Sequence, residues 1–126
     1  MRKWEWVHGD IVLALHDEQI AEHGGVSGTR DEGLLESALA RPLNLVAHGD
    51  PDAAELAAAY AFGIARNHPF ADGNKRTAAV TALVFLALND VSFNIGEAEL
   101  VVMILALAAG ELTQDDVAAW FRERLD

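Results

Sequence analysis

The segment from His68 to Ala78, HPFADGNKRTA, constrains the fold more than any other part of this chain. It lies between two apolar stretches and contains a proline and a glycine, the two residues that most often interrupt helices. Pro69 disfavours helical geometry at the residue before it, so we expect the preceding helix to stop at about His68. Gly73 permits the left-handed backbone of a tight turn, and a second helix follows from about Asn74. The segment therefore predicts a helix-loop-helix unit.

The same loop contains residue types that are suited to phosphate chemistry. The free N–H groups of a first helical turn and the positive end of the helix dipole favour an anion. Lys75 and Arg76 add positive charge to that turn. Two cations at the positive end of the helix dipole are electrostatically unfavourable unless an anion binds there. Asp72 could hold Mg²⁺, which prefers one or two carboxylates together with phosphate oxygens and water. His68 supplies an imidazole, which is suited to general-base work around pH 7. These residues predict a polyphosphate site.

Each of these residues also has a purely structural interpretation. A histidine before a proline often just ends a helix, the two cations could be solvated, and Asp72 or Asn74 could cap the next helix. Phe70 is expected to point inward and fix the loop. His16 and Asp17 are either a structural pair within a helix or functional residues. The remaining histidines lack polar neighbours in the sequence and are expected on the surface: His8, His23 and His48.

The rest of the chain predicts one helix after another, and therefore an all-α fold. We expect helices over residues 10–23, 31–42, 50–68, 74–89 and 97–109, and a last one capped by Thr113. Asp10, Asp31 and Asp50 are the expected caps, and Pro42 is expected to stop the second helix. The helix over 74–89 is apolar nearly all round, which is typical of a central buried helix.

Strand signals are weak in this sequence. Residues 44–49 are expected to form a loop, and only residues 44–47 and 91–95 could be short extended pieces. There is no internal repeat and no linker long enough to divide the chain. A length of 126 residues and an apolar fraction of 52% then predict one domain over residues 1–126 with a real core.

Composition excludes several classes of protein. The absence of cysteine argues against a disulfide framework or a thiolate zinc site, and the start of the chain does not resemble a signal peptide, so a cytoplasmic location is expected. The apolar runs over 77–88 and 100–109 are shorter than the roughly 20 residues of a membrane span. A formal charge of −11 argues against nucleic acid as a direct partner. Lys75 and Arg76 form a local positive focus, which favours a small phosphorylated ligand.

The loop and its flanks resemble a known family. Residues 68–76 resemble the Fic signature, H-x-F-x-[DE]-G-N-x-x-R. The nucleotide-transferring branch has a small residue and then arginine after the asparagine, whereas this chain has Lys75 followed at once by Arg76. That order resembles the death-on-curing (Doc) toxin subfamily, with NKRTA after the loop. Further stretches that resemble this subfamily are residues 15–17, 20, 24–25, 28, 30–31, 34–42 and 108–111.

The resemblance implies a compact helical bundle with ATP as substrate and Mg²⁺ as cofactor. It implies catalytic roles for His68, Asp72, Lys75 and Arg76, nucleotide binding by Gly73, Asn74, Lys75 and Arg76, and metal binding by Asp72. In Fic enzymes the α-phosphorus is attacked and AMP is transferred. In Doc toxins the γ-phosphate is presented instead, and the result is a kinase whose target is elongation factor Tu. Lys75 favours the kinase, because a long cation at the position of a small residue in the AMP-transferring branch would fill space and add charge where the outer phosphates would otherwise run.

The alternatives to the kinase are a Fic-type AMP transferase and a non-catalytic interaction module. All chemically useful positions of the motif are intact, which disfavours the module. Fic enzymes are commonly restrained by a helix with the pattern [ST]-x-x-x-E-[GN], and this chain has no such run; Ser27 is followed four residues later by Asp31. The resemblance therefore implies a toxin that needs a separate antitoxin protein as its partner.

Overall fold

The computed structural model describes residues 2–126, and these form six α-helices, as the sequence predicted. The helices are α1 (Gly9–His23), α2 (Glu32–His48), α3 (Ala53–Asn67), α4 (Asn74–Leu88), α5 (Glu97–Ala108) and α6 (Gln114–Arg122). Extended pairing within residues 2–126 is limited to two isolated antiparallel bridges, Thr29 with Phe70 and Phe93 with Leu125. The chain is thus an all-α bundle.

Helix α3 lies at the centre and packs against α2, α4, α5 and α6. Its many alanines let the neighbouring helices approach closely, and its larger residues Leu56, Tyr60 and Ile64 are buried at the predicted four-residue spacing. A Cβ added to Gly63 would lie 3.0 Å from the backbone of Ala38 in α2. The α2–α3 crossing therefore requires glycine at this position.

Helix α4 packs beside α3 and buries one side against it. Thr77, Ala78, Ala82 and Phe85 on that side are fully buried. A second strip of α4, formed by apolar residues, is only half-buried: Ala79, Val80, Leu83 and Val84. Eleven of the 15 residues of α3 are buried, whereas α4 keeps an apolar strip available beside the loop.

The predicted end of the second helix was wrong. Pro42 lies inside α2, which continues to His48, so residues 44–49 are neither a loop nor an extended piece. Proline in a helix interior removes a backbone hydrogen bond, at a cost of about 3 kcal/mol. Leu35, Ala38 and Pro42 lie on one face of α2 and are all buried. This packing, mostly against α3, outweighs the local cost of the proline.

The predicted N-caps of two helices were also wrong. α3 begins after Asp52 rather than Asp50, because Asp52 forms a reciprocal capping box with Glu55. α1 begins after His8, which makes no side-chain cap, and Asp10 lies inside the first turn. The predicted caps Asp31 and Thr113 are confirmed by side-chain bonds to the N–H groups of Leu34 and Asp116.

The segment before α1 is fixed to the core by hydrogen bonds to buried side chains. The N–H of Val7 donates to Tyr60 Oη at 3.0 Å, and that hydroxyl donates to the carbonyl of Val7 at 3.4 Å. Burial raises the pKa of Tyr60 to about 12, although the bond to Val7 acts in the opposite direction.

Between residues 2 and 126, no helix has both the length and the apolar character to cross a membrane.

Candidate active site

His68 is the last residue before the loop and has an unusual backbone. It follows α3 as its C-cap with φ 51° and ψ 55°, in the left-handed region that costs a non-glycine residue about 1–3 kcal/mol. Pro69 explains why the right-handed form is disfavoured, as predicted. Arg30 compensates the strain, since its Nε and one terminal nitrogen donate to the carbonyl of His68 at 2.9 and 2.7 Å. The imidazole itself is exposed at the rim.

The loop between α1 and α2, residues 24–31, clasps the motif loop from outside; we call it the clasp. The N–H groups of Arg30 and Asp31 donate to the carbonyl of Pro69 at 2.7 and 3.1 Å. In return, the N–H of Ala71 donates to the carbonyl of Gly28 at 3.1 Å. The motif loop is thus paired on one edge by backbone bonds, although the clasp lies some 40 residues earlier in the chain.

Asn74 closes the motif loop from inside. Its side chain accepts from the N–H of Phe70 and donates to the carbonyl of the same residue, both at 3.0 Å. Gly73, with φ 74°, is the N-cap of α4, and neither Asp72 nor Asn74 caps that helix with a side chain. Phe70 is 1% exposed, which confirms that it points inward. Because the Asn74 amide is used within the loop, any contact of this residue with a ligand would involve its backbone N–H.

Asp72 projects from the loop and is held by two backbone donors. Gly73 N–H donates to Oδ1 at 2.9 Å, and Val26 N–H in the clasp donates to Oδ2 at 3.3 Å. A Cβ added to Gly25 would lie 2.6 Å from Asp72 Oδ2, so only glycine leaves room for the carboxylate in this position. The carboxylate is exposed and each oxygen retains capacity for a further ligand.

The residues around Asp72 fit a magnesium ion that is brought in with a nucleotide. Within residues 2–126, no group of three or more histidine and carboxylate side chains could hold a metal ion by itself. Mg²⁺ in phosphate-transfer sites needs only one or two carboxylates, and completes its octahedron with phosphate oxygens and water. One fixed, exposed carboxylate next to a helix N-terminus meets that requirement.

The start of α4 supplies the positive charge. Thr77 makes the first backbone bond of the helix, to the carbonyl of Gly73 at 3.0 Å. The N–H groups of Asn74, Lys75 and Arg76 therefore have no acceptor in the part of the chain that the structure describes. The side chains of Lys75 and Arg76 are exposed, and neither belongs to an ion pair among the described residues. The two cations and three N–H groups form one anion-binding face.

A cavity of about 600 Å³ connects these groups, which is within the usual size range of ligand sites. All six residues predicted from the sequence line it: His68, Asp72, Gly73, Asn74, Lys75 and Arg76. Its far wall is apolar and comes from the half-buried strip of α4 and from α5, with Leu83, Val101 and Leu105 as examples. The cavity thus has a charged end and an apolar end, as a nucleotide requires.

The sequence did not indicate three further polar residues that line the cavity: Gln19, His23 and Glu97. His23 is exposed, as predicted, but the end of α1 places it beside the loop. Their positions depend on how α1 and α5 pack against α4, and no local pattern around them signals this packing.

The sequence allows either a structural or a functional role for His16, and the structure shows what the side chain contacts. Its ring is 1% exposed and stacks on Phe70 with a centroid distance of 3.8 Å. Its Nε2 lies 2.8 Å from the backbone carbonyl of Asp72. Asp17 is exposed and makes no side-chain hydrogen bond or ion pair with His16 within residues 2–126, so the two residues do not act as a pair.

This arrangement defines a class of protein. An α-helical bundle presents a histidine, a carboxylate and two cations on one loop that opens a helix with free N–H groups. Comparison with known proteins agrees with this class: the model of the Fic/DOC family matches residues 6–86. The chain belongs to that family.

Two curated proteins are similar to the chain. "Protein kinase doc" of Escherichia phage P1 is 38% identical over 112 residues, which cover 88% of each protein. "Toxin Doc" of Mycolicibacterium smegmatis is 44% identical over 82 residues, which cover 60% of this chain and 63% of that protein. These similarities place the chain in the Doc branch of the family, as the sequence of the loop predicted.

Proposed function

We propose that the protein is the toxin of a toxin-antitoxin pair and transfers the γ-phosphate of ATP to a hydroxyl group of a translation factor, with elongation factor Tu as the expected target. The observation that supports this most directly is the anion-binding face at the start of α4, which lies in one cavity with His68 and Asp72. The names of the two relatives, a toxin and a protein kinase, agree with this proposal.

The proposed reaction begins with proton removal. His68 accepts the proton of the target hydroxyl while the hydroxyl oxygen attacks the γ-phosphorus. One oxygen–phosphorus bond forms, the bond between the γ-phosphorus and its bridging oxygen breaks, and ADP leaves. His68 stands exposed at the rim, where a side chain of another protein can reach it. The Arg30 bonds hold its backbone in position for this step.

Charge on the transferring group is stabilised by the first turn of α4. Phosphate transfer depends mainly on positioning and on electrostatic stabilisation of the phosphoryl oxygens. Lys75 and Arg76 provide positive charge, and the free N–H groups of residues 74–76 are donors that the helix fixes before the nucleotide arrives. Asp72 would hold Mg²⁺, which neutralises phosphate charge when it is bound. Gly73 allows the phosphates to approach the backbone closely.

Lys75 is the reason to propose a kinase rather than an AMP transferase. Lys75 and Arg76 are exposed and neither belongs to an ion pair within residues 2–126. Lys75 would fill the space that the outer phosphates occupy in an AMP transferase, so we expect the nucleotide in the reverse orientation, with its γ-phosphate beside His68. The apolar end of the cavity, between α4 and α5, then remains for the base.

The test uses the full chain with elongation factor Tu and ATP labelled either at the γ-phosphate or in the adenine. A kinase transfers only the γ-label, so we expect labelled factor in the first reaction and none in the second. Label from adenine on the factor would instead identify an AMP transferase. If neither label appears on the factor although the protein is folded and contains His68, the non-catalytic interaction module is the alternative that remains.

The proposal includes a protein antitoxin, since the chain has no inhibitory run of its own and an unrestrained modifier of a translation factor would arrest its host. The apolar strip of α4, with Leu83, and the neighbouring α5 residues Val101 and Leu105 suit an amphipathic helix laid across the cavity. Expression of the chain alone in a bacterium should halt amino-acid incorporation, and co-expression of a small protein encoded next to it should restore growth. If the bacterium synthesises protein at the normal rate while it contains the folded chain, the proposal that this protein is a toxin is wrong. The cytoplasm is the location that such a target requires.

A further inference from the structure

His16 makes a contact with the motif loop that the proposed reaction does not use directly. It belongs to α1, its ring is 1% exposed, and it stacks on Phe70 with an interplanar angle of 8°. Its Nε2 is 2.8 Å from the carbonyl oxygen of Asp72, and a Cβ added to Gly73 would lie 3.7 Å from the same nitrogen. The ring therefore lies directly beneath the Asp72–Gly73 peptide.

The contact fixes the orientation of that peptide. A trans peptide is planar, and its C=O and N–H groups point in opposite directions. Because the carbonyl of Asp72 points to His16, the N–H of Gly73 must point outward, where it donates to Asp72 Oδ1 at 2.9 Å. Glycine at position 73 has φ 74°, and a glycine tolerates either orientation of the peptide before it. His16 supplies the bond that selects one of the two.

The same contact keeps an N–H group of α4 free. In an α-helix each N–H donates to the carbonyl four residues earlier, which for Arg76 is the carbonyl of Asp72. That carbonyl is turned away to His16, so α4 cannot extend by one more residue toward the loop. The Arg76 N–H consequently remains available to an anion.

We propose that His16 is a positioning residue that donates from Nε2 to the carbonyl of Asp72 and thereby fixes both the Asp72 carboxylate and the free N–H groups that face the phosphates. The part of this inference that concerns phosphates rests on the proposed function; the part that concerns the peptide does not. If the His16 ring only filled space in the core, it would need no N–H group facing the carbonyl of Asp72.

The first experiment determines which nitrogen of the His16 ring carries the proton, and it needs neither nucleotide nor activity. Long-range ¹⁵N–¹H spectra of histidine-labelled protein should show the Nε2–H form of His16, with slow exchange of that proton. The Nδ1–H form would overturn the proposal, because it cannot donate to the carbonyl. This measurement uses the unmodified chain and does not depend on a variant that folds.

The second experiment compares two substitutions of similar volume. His16→Leu removes the donor, whereas His16→Gln keeps an N–H donor at a similar reach. In glycine-labelled protein we expect the Gly73 resonance of His16→Leu to shift or divide into two, with Gly49 and Gly110 unchanged as internal controls. In His16→Gln the Gly73 resonance should stay near its normal position.

Nucleotide binding then separates the two proposals. His16→Leu should weaken ATP binding about tenfold and adenosine binding much less, and His16→Gln should recover most of the loss. If Gly73 responds as expected while the unmodified protein neither binds ATP nor transfers phosphate, the proposed function fails and the role of His16 stands. Equal defects in folded His16→Leu and His16→Gln, or an unmoved Gly73 resonance in His16→Leu, would overturn that role.

Discussion

Substitution of Gly25 by alanine should move the Asp72 carboxylate without touching any residue of the motif. The new Cβ would lie 2.6 Å from Asp72 Oδ2, and since side-chain carbons do not approach closer than about 3.0 Å, the carboxylate must retreat by at least about 0.4 Å. The simplest retreat rotates the side chain away from the clasp and breaks its bond with Val26. A misplacement of 1 Å in an active site can cost about 10²-fold in rate, so we expect a loss on the order of tenfold.

A matched control is available in the same loop. Gly25 and Gly28 have φ values of +119° and +105°, so alanine at either position is strained, by about 1–3 kcal/mol. A Cβ on Gly28, however, would have no atom within 4 Å. The two variants should therefore lose similar free energy of unfolding in urea, while only Gly25→Ala places a methyl group against Asp72.

The assay is transfer of the γ-phosphate to elongation factor Tu at saturating ATP, repeated over a range of magnesium concentrations. Gly25→Ala should show the lower kcat and should require more magnesium for half-maximal rate. Equal kcat and equal magnesium requirement in the two folded variants would show that the position of the Asp72 carboxylate does not matter for the reaction.

Other substitutions test the base, the cations and the core. His68→Ala should lower transfer about 10²–10⁴-fold with little change in ATP affinity, because it removes only the general base; growth arrest by this variant at normal expression would contradict the assignment. Lys75→Ala and Arg76→Ala should each weaken ATP binding more than ADP binding and leave adenosine binding unchanged, as calorimetry can measure; equal losses for all three ligands would exclude contact with the phosphates. The pKa of Tyr60 is raised from 10.0 to about 12, so the neutral phenol stabilises the fold below pH 10 and this contribution disappears as the pH rises toward 12. Tyr60→Phe should therefore show a smaller loss of unfolding free energy over that interval than the unmodified chain; identical slopes would contradict the raised pKa.

The motif loop could be predicted from the sequence because its signals are local. Pro69, Gly73 and the apolar stretches on either side act through the backbone of their immediate neighbours, and the structure places the loop where they indicate. The same is true of the caps Asp31 and Thr113. The roles of Lys75 and Asp72 remain proposals.

The errors in the predicted fold arise where packing overrides local preference. Pro42 would end an isolated helix, but it lies on the buried face of α2 together with Leu35 and Ala38, and the helix continues through it. No pattern near Pro42 indicates that α3 will cover this face.

The supports of the site were not predicted because each joins distant parts of the chain. His16 meets the carbonyl of Asp72 across 56 positions, and Arg30 meets that of His68 across 38. Val26 and Gly25 shape the Asp72 carboxylate through the clasp, whose glycines look like ordinary turn residues in the sequence. Contacts of this kind become visible only when the fold brings the loops together.

The pair of hydrogen bonds between Asn74 and Phe70 determines how the loop meets its ligand. The two bonds hold the backbone of Phe70, and the stacked His16 ring holds its buried aromatic side chain. Under the proposed function, a loop that these bonds hold in shape before the nucleotide arrives has little conformational entropy to lose on binding. More of the interaction energy with the phosphates and the base would then contribute to affinity.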